Sequence, residues 1–373
     1  MTTKFGYYQA MGQQLENKLT SYAMTIPHGH WPHWNFNEEQ FSAHDWTQEP
    51  SQSLEQLYLE RARQIRSRYD YLILSWSGGA DSQNIAEIMV RNGIRIDHLV
   101  YRNALFTADS TKTSRAEENA VNESLWCVPL ALEKLRRWQP DIALTMWDWS
   151  KDVLDFWKNQ QFDLYSQNCP TVVGSIKHRI LDTVKIPSWA KSVGVIYGID
   201  KPLISYENNR FSMFFMDETV HIQSGGLKNH YDVTHELFYW APESVPMLIK
   251  QGHIIKKWFR QNPELLYLLS RKLPNKQLYY ELINPIIYPW YDPSLYQALK
   301  SKHRFFTGLE QWFHTNRDHT SIQSWLKTMQ TQDAEIKSIF KSVKDLDTGF
   351  KSTYESGFEI LPSCYSKFYD LGT

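Results

Sequence analysis

Cysteine is scarce in this chain: Cys127, Cys169 and Cys364 are far apart, and no Cys-x-x-Cys occurs. A four-cysteine zinc site and a redox dithiol are thereby excluded, and a reducing compartment, the cytoplasm, is the expected location. Excess charge of either sign is also missing, with 40 Lys+Arg against 41 Asp+Glu. That balance argues against a polybasic nucleic-acid coat or an acidic tail, although it leaves room for a local basic site. No run approaches the ~18 apolar residues of a membrane span, so no membrane partner is expected. Residues 1–30 hold no basic stretch followed by an apolar core, so no secretory signal is expected. Repeats and low-complexity tracts are absent as well. Both standard nucleotide fingerprints are missing: there is no Gly-x-x-x-x-Gly-Lys and no Gly-x-Gly-x-x-Gly.

Aromatic residues are abundant, with 15 Trp, 21 Tyr and 18 Phe making up 14% of 373 residues. A hydrophobic share of 42% supports a real core over most of the length. Residues 1–50 have weak periodicity, and the His28–Trp34 run of His, Trp and Pro reads as an arm laid on the body. Leu54, Leu57, Tyr58, Ala62 and Ile65 fall at helical spacing, with Ser53 and Gln56 as a capping box, so a helix is predicted to about Arg68.

Tyr71–Leu74 is a short apolar run suited to a buried parallel strand. It enters Ser77-Gly78-Gly79-Ala80-Asp81-Ser82, and a helix pattern follows to Asn92-Gly93. Ile96–Tyr101 supplies the next strand and completes a βαβ unit. The alternation continues with a loop over 103–115, a helix over 117–138 broken near Pro129, and a strand over 142–147 ending at Asp148. A helix over 176–184 and a strand over 193–197 come next, and that strand ends in Gly198-Ile199-Asp200-Lys201. Segments 203–206 and 211–216 flank Asn208-Asn209 as a hairpin. Beyond residue 235 amphipathic helix patterns dominate, including one over 322–343. The predicted fold is α/β: a parallel sheet with flanking helices over 51–235, an arm over 1–50 and a helical domain over 236–373.

The Ser77–Ser82 hexapeptide carries the strongest chemical signal. Two glycines let the backbone turn sharply and approach a ligand closely. The helix behind them offers unpaired N–H groups and a positive dipole end to a phosphate. Asp81 would repel that phosphate unless a cation lay between, which points to Mg²⁺.

In this context the hexapeptide resembles the PP-loop of the N-type ATP pyrophosphatases. These are Rossmann-like (HUP-type) enzymes, the adenine nucleotide alpha-hydrolase-like group, that include the synthetase domains of asparagine, GMP and NAD synthetases. The layout is similar to stand-alone PP-loop proteins of bacteriophages and bacteria described as asparagine-synthase-like or sulfate-reductase-like. The resemblance implies an AMP- and pyrophosphate-forming ligase that uses ATP and Mg²⁺. Such an enzyme adenylates a carbonyl, carboxylate or nucleobase oxygen, and an amine or ammonia then attacks. Carried over by position, Ser77, Gly78, Gly79, Asp81 and Ser82 would hold pyrophosphate and metal. Tyr101 and Arg102 would lie near adenine or ribose.

Strand ends on the same edge supply further candidates. Gly198 would permit close backbone approach, Asp200 could hold metal or amine, and Lys201 could neutralise phosphate charge. Asp148 is a further possible metal ligand, and Arg179, with Lys177 and His178, could meet phosphate. The family's glutaminase nucleophile, a cysteine at residue 2, is Thr2 here, and its four-cysteine and paired-cysteine sulfur sites have no counterpart. Sulfur chemistry is therefore not expected, and the ligase reading takes a small molecule or a nucleobase as acceptor.

Two other readings stay open. Lys250, His253, Lys257 and Arg260 share one helix face and could grip tRNA or DNA. Alternatively, the loop could be a non-catalytic nucleotide scaffold. His28, His30 and His33 offer a weak metal pattern, and part of the aromatic excess is expected to wall an adenine or acceptor pocket.

Overall fold

The structure, a computed structural model, describes residues 5–15, 18–103, 111, 114, 122–148, 177–199, 202–217, 232–270, 276–296 and 364–373. Where the sequence suggested an arm, strands β1 (Tyr7–Ala10), β2 (Gln13–Leu15) and β3 (His33–Asn35) form a small antiparallel sheet in the order β2-β1-β3. Helices α1 (Lys18–Thr25) and α2 (Glu38–Ser42) accompany it. The strands are only three or four residues long, too short to print a period-two pattern over the surrounding polar residues. Trp34, Phe36 and Phe41 are fully buried and pack onto Phe215 and Trp240, so this segment does lay aromatics on the body.

Helix α3 (Leu54–Arg66) starts at the expected capping box: the Ser53 side chain accepts from the Gln56 N–H, and the Gln56 side chain from the Ser53 N–H. Such a cap stabilises a helix by about 1 kcal/mol. Next come β4 (Tyr71–Ser75), α4 (Ala80–Arg91), β5 (His98–Asn103), α5 (Val128–Arg136), β6 (Ala143–Asp148) and β7 (Ser192–Tyr197). A π-helical turn over Glu123–Cys127 precedes α5, at the break expected near Pro129. The hairpin β8 (Leu203–Glu207) and β9 (Arg210–Phe214) turns through Asn208 and Asn209, at φ of 50° and 61°. Both left-handed positions suit a type I′ turn, for which asparagine is well fitted.

Strand β10 (Asp232–Leu237) completes a five-stranded, all-parallel sheet in the order β10-β7-β4-β5-β6. Leu72, Ile73 and Leu74 of its central strand are fully buried, as a sheet covered on both faces requires. From β4 the chain steps through β5 to β6, then returns to β7 on the other side of β4. In open α/β sheets ligands bind at such a reversal, which here lies beyond the carboxyl ends of β4 and β7.

Of the C-terminal helical domain expected over 236–373, residues 297–363 lie outside the described residues. Helices α6 (Val245–Gln261) and α7 (Lys276–Ile287) are present, but they pack on the α/β body. Gln251 of α6 donates to the Tyr58 hydroxyl on α3, and Gly252 fits closely against Met213 and Leu371. The chain closes with a strand, β11 (Tyr369–Gly372), paired with β9 in a third sheet of order β11-β9-β8. The helical pattern over 322–343 lies outside the described residues.

Buried charge fixes α3 to β10. Arg61 meets Glu236 at 3.1 Å and the Leu237 carbonyl at 2.8 Å, and the Tyr69 hydroxyl donates to Glu236 at 2.6 Å. On the other side of the sheet's centre, Glu87 of α4 is paired with Lys134 of α5 at 3.2 Å and Arg91 at 3.0 Å. The Arg91 guanidinium lies 5.2 Å and 4.9 Å from the ring centres of Trp138 and Trp290. Among the described residues no helix is long and apolar enough to cross a membrane.

Candidate functional site

The Ser77–Ser82 loop joins β4, the central strand, to α4 at the sheet's reversal point. Trp76 extends the strand by donating its N–H to Val100 O, and its buried indole N–H reaches Gln83 of α4 at 3.1 Å. Gly78 then turns the chain at φ +72°, a conformation that other residues rarely adopt. A Cβ there would also come within 2.9 Å of Val128 at the start of α5. Gly79 is the N-cap residue, so α4 begins without a side-chain cap and its first-turn N–H groups have no partner within the helix.

The two serines hold the loop's shape. The Ser82 hydroxyl accepts the Ser77 N–H at 3.1 Å, donates to Gly79 O at 3.2 Å and lies 3.1 Å from the Ser77 hydroxyl. The Ser77 hydroxyl in turn accepts the Gly79 N–H at 3.2 Å. Asp81 stands in the first turn of α4. Its carboxylate accepts a hydrogen bond from the Tyr288 hydroxyl, and its carbonyl accepts one from Tyr239 at 2.9 Å. Burial above all, together with the Asp81 charge, pushes the Tyr288 phenol well up, so it stays a neutral donor.

Gly198 is brought to the loop. A Cβ on it would fall 3.1 Å from the Ser82 N and from Ile85 Cδ1, so the end of β7 lies directly against the first turn of α4. Asp200 and Lys201 lie outside the described residues, as do the side chains of Lys177, His178 and Arg179. The backbone of those last three belongs to a short 3-10 helix over Lys177–Thr183.

Asp148 is not gathered at the loop. It ends β6 in register with Asn103, two strands from β4, or roughly 10 Å across the sheet. Tyr101 is turned inward: its ring packs edge-on to Trp76 at 6.5 Å and its hydroxyl meets Ser124. Arg102, on the opposite face of β5, donates to Ser75 Oγ at 3.0 Å, at the root of the loop, and burial lowers its pKa.

One carboxylate at the loop had no signal in the sequence. Glu123, the first residue of the π-helical turn, places Oε1 3.2 Å from where a Gly79 Cβ would stand. The sequence pattern put it inside an ordinary helix. It opens the wider turn, a device often found at functional sites.

Other candidates find different uses. Lys250 is bound to Glu49 at 2.6 Å and Pro50 O at 3.0 Å, and buried His253 donates to Trp46 O at 3.0 Å. Arg260 reaches the carbonyl of Thr373 at 3.3 Å. Three residues of the basic stripe thus contact other parts of the chain, residues 46–50 and Thr373. His33 pairs with Glu38 at 2.6 Å, and no group of three or more His, Cys, Asp or Glu that could hold a metal occurs among the described residues. Cys127 is buried, and burial pushes the Cys364 thiol far up, so neither resembles a reactive thiolate. Cys169 lies outside the described residues.

The largest fully buried side chains include Trp34, Trp76, Trp240, Tyr8, Tyr22, Tyr58, Tyr239, Tyr279, Phe36 and Phe41, so much of the aromatic excess is core. The chain matches no protein-family model and no curated protein.

Proposed function

We propose that this chain is an ATP-dependent ligase of the PP-loop type that forms AMP and pyrophosphate. The observation that carries the reading is an uncapped helix N-terminus behind the Ser77–Ser82 loop, at the reversal point of a parallel sheet, with Gly198 pressed against it. Such a cradle binds a polyphosphate through backbone N–H groups and the helix dipole.

The donor set fits Mg²⁺, which binds through phosphate and water with one or two carboxylates. Among the described residues, Asp81 and Glu123, which lies over Gly79, place carboxylates at the loop. The ion would neutralise charge on the phosphates when bound. The chain's own residues orient them: Ser77 and Ser82 hold the loop open, and Gly78 and Gly198 allow the close approach of backbone.

In the reaction, a carbonyl, carboxylate or nucleobase oxygen of the acceptor attacks the α-phosphorus and pyrophosphate leaves. An amine or ammonia then displaces AMP from the adenylated carbon. Asp200 and Lys201, which follow Gly198-Ile199 in the chain, are the candidates for steadying the transferred group.

The test is pyrophosphate release from ATP, with Mg²⁺, across a panel of carboxylate, amide and nucleobase acceptors. Release with an acceptor, falling on the order of 100-fold in Asp81→Ala, is expected. Absence of both ATP binding and pyrophosphate release, with Asp81→Ala indistinguishable from the parent, overturns the reading.

A further inference from the structure

Asp81 is held from outside its own helix by two tyrosines that lie more than 150 positions further along the chain. Tyr288, just after α7, donates its hydroxyl to Asp81 Oδ1, and its N–H bonds Asn284 O at 3.0 Å. Tyr239, just after β10, donates to Asp81 O at 2.9 Å and accepts from Asn84 of α4 at 2.9 Å. The two rings lie 5.9 Å apart, and both are buried. Behind them, the Tyr58 hydroxyl on α3 donates to Ile287 O at 3.0 Å and accepts from Gln251 of α6 at 2.7 Å. Asp81 is thus bonded to the residue that follows α7, and the preceding residue, Ile287, is bonded to Tyr58 of α3, which in turn accepts from Gln251 of α6.

A carboxylate in the first turn of a helix is drawn toward that helix's own N–H groups and positive dipole end. In this loop, that is the place a phosphate must occupy. The Tyr288 phenol, donating from just after α7, gives one carboxylate oxygen a partner outside that helix. One O–H uses one of roughly four acceptor positions on a carboxylate, so the hydrogen bond is compatible with metal ligation.

We propose that Tyr288 is a positioning residue: its hydroxyl holds the Asp81 carboxylate off the phosphate cradle and in the orientation that receives Mg²⁺, and so couples the α7 segment to nucleotide occupancy. The inference rests on the ATP reading above. Outer-shell partners of metal-binding carboxylates commonly contribute 10- to 100-fold to metal affinity.

The experiment uses Tyr288→Phe, which keeps the ring and removes the hydroxyl. ATP binding is titrated calorimetrically at increasing Mg²⁺, and amide exchange over residues 276–287 is followed in the unmodified protein with ATP plus Mg²⁺ and with ATP plus chelator. The expected result is a half-saturating Mg²⁺ concentration about 10- to 100-fold higher in Tyr288→Phe. Slowed exchange over 276–287 is expected in the unmodified protein only when Mg²⁺ and ATP are both present.

If the unmodified protein binds Mg²⁺-ATP and Tyr288→Phe shows the same Mg²⁺ requirement, the positioning role is overturned while the ATP reading stands. Should the variant fail to fold, exchange over 276–287 that ignores Mg²⁺-ATP in the unmodified protein overturns the coupling by itself. If the unmodified protein binds no Mg²⁺-ATP, both readings fall.

Discussion

A methyl group on Gly198 would lie 3.1 Å from the Ser82 nitrogen and 3.2 Å from its Cα. Those are backbone atoms in the first turn of α4, and they cannot swing aside as a long side chain would. Gly198→Ala is therefore expected to push the end of β7 away from the loop and to cost about 1–3 kcal/mol. Thermal unfolding checks the stability, and on the ATP reading proposed above ATP titration should also show weaker binding. The sequence marked Gly198 as a site of close approach. That its neighbour would be Ser82, rather than a ligand alone, depended on where β7 inserts. Glu123 is the opposite case: nothing in its spacing distinguishes it, yet it opens the π-helical turn and lies over Gly79.

At the scale of elements, Asp70 shows how the central strand is set against β7. Its carboxylate accepts the N–H groups of Lys191 at 2.9 Å and Ser192 at 3.0 Å, and its own N–H donates to Ser192 O. These backbone donors, Ser192 first, hold its pKa below the usual aspartate value. A carboxyl depressed in the folded state stabilises it fully above the unfolded value of about 3.9, and that stability is lost as pH falls through the lower folded value. Asp70→Asn should accordingly remove part of the acid-side loss of stability below about pH 4, as read by denaturant unfolding over pH. An unchanged acid limb would show that Asp70 plays no such part.

The elements themselves were legible to different degrees. The β4–α4–β5 unit and the Asn208-Asn209 hairpin appear where apolar runs and turn residues placed them. The small N-terminal sheet did not announce itself, because its strands are too short for periodicity. The final strand β11 was missed because Tyr369–Gly372 has meaning only beside β9.

For the molecule as a whole, the ends of the chain are tied together around one carboxylate. Asp217 Oδ2 accepts from Lys18 and from the Tyr8 hydroxyl, each at 2.8 Å, and Oδ1 accepts the Cys364 N–H at 3.2 Å. Lys18 and Asp217 are both buried, so removing Asp217 takes a close ion pair away from a charge that is shielded from water. Asp217→Ala should destabilise the protein by about 3–5 kcal/mol, read as a loss of denaturant midpoint. Limited proteolysis should then release the first fifty residues early. A change within a few tenths of a kcal/mol would show that the three segments are held by aromatic packing alone.

By itself, the sequence determined the α/β class of the central region, the loop that precedes α4 and the glycine that ends β7. These follow from local rules: apolar runs, the sterics of glycine and the helix signals at either end. The tertiary structure decided which groups meet. Strand order put the loop at the sheet's reversal point and left Asp148 two strands away. Packing turned Tyr101 inward, set three residues of the basic stripe against Glu49, Trp46 and Thr373, and brought Tyr288 across more than 200 positions to Asp81. Contacts between distant segments depend on how whole elements bury their faces against one another, and no spacing along the chain encodes that.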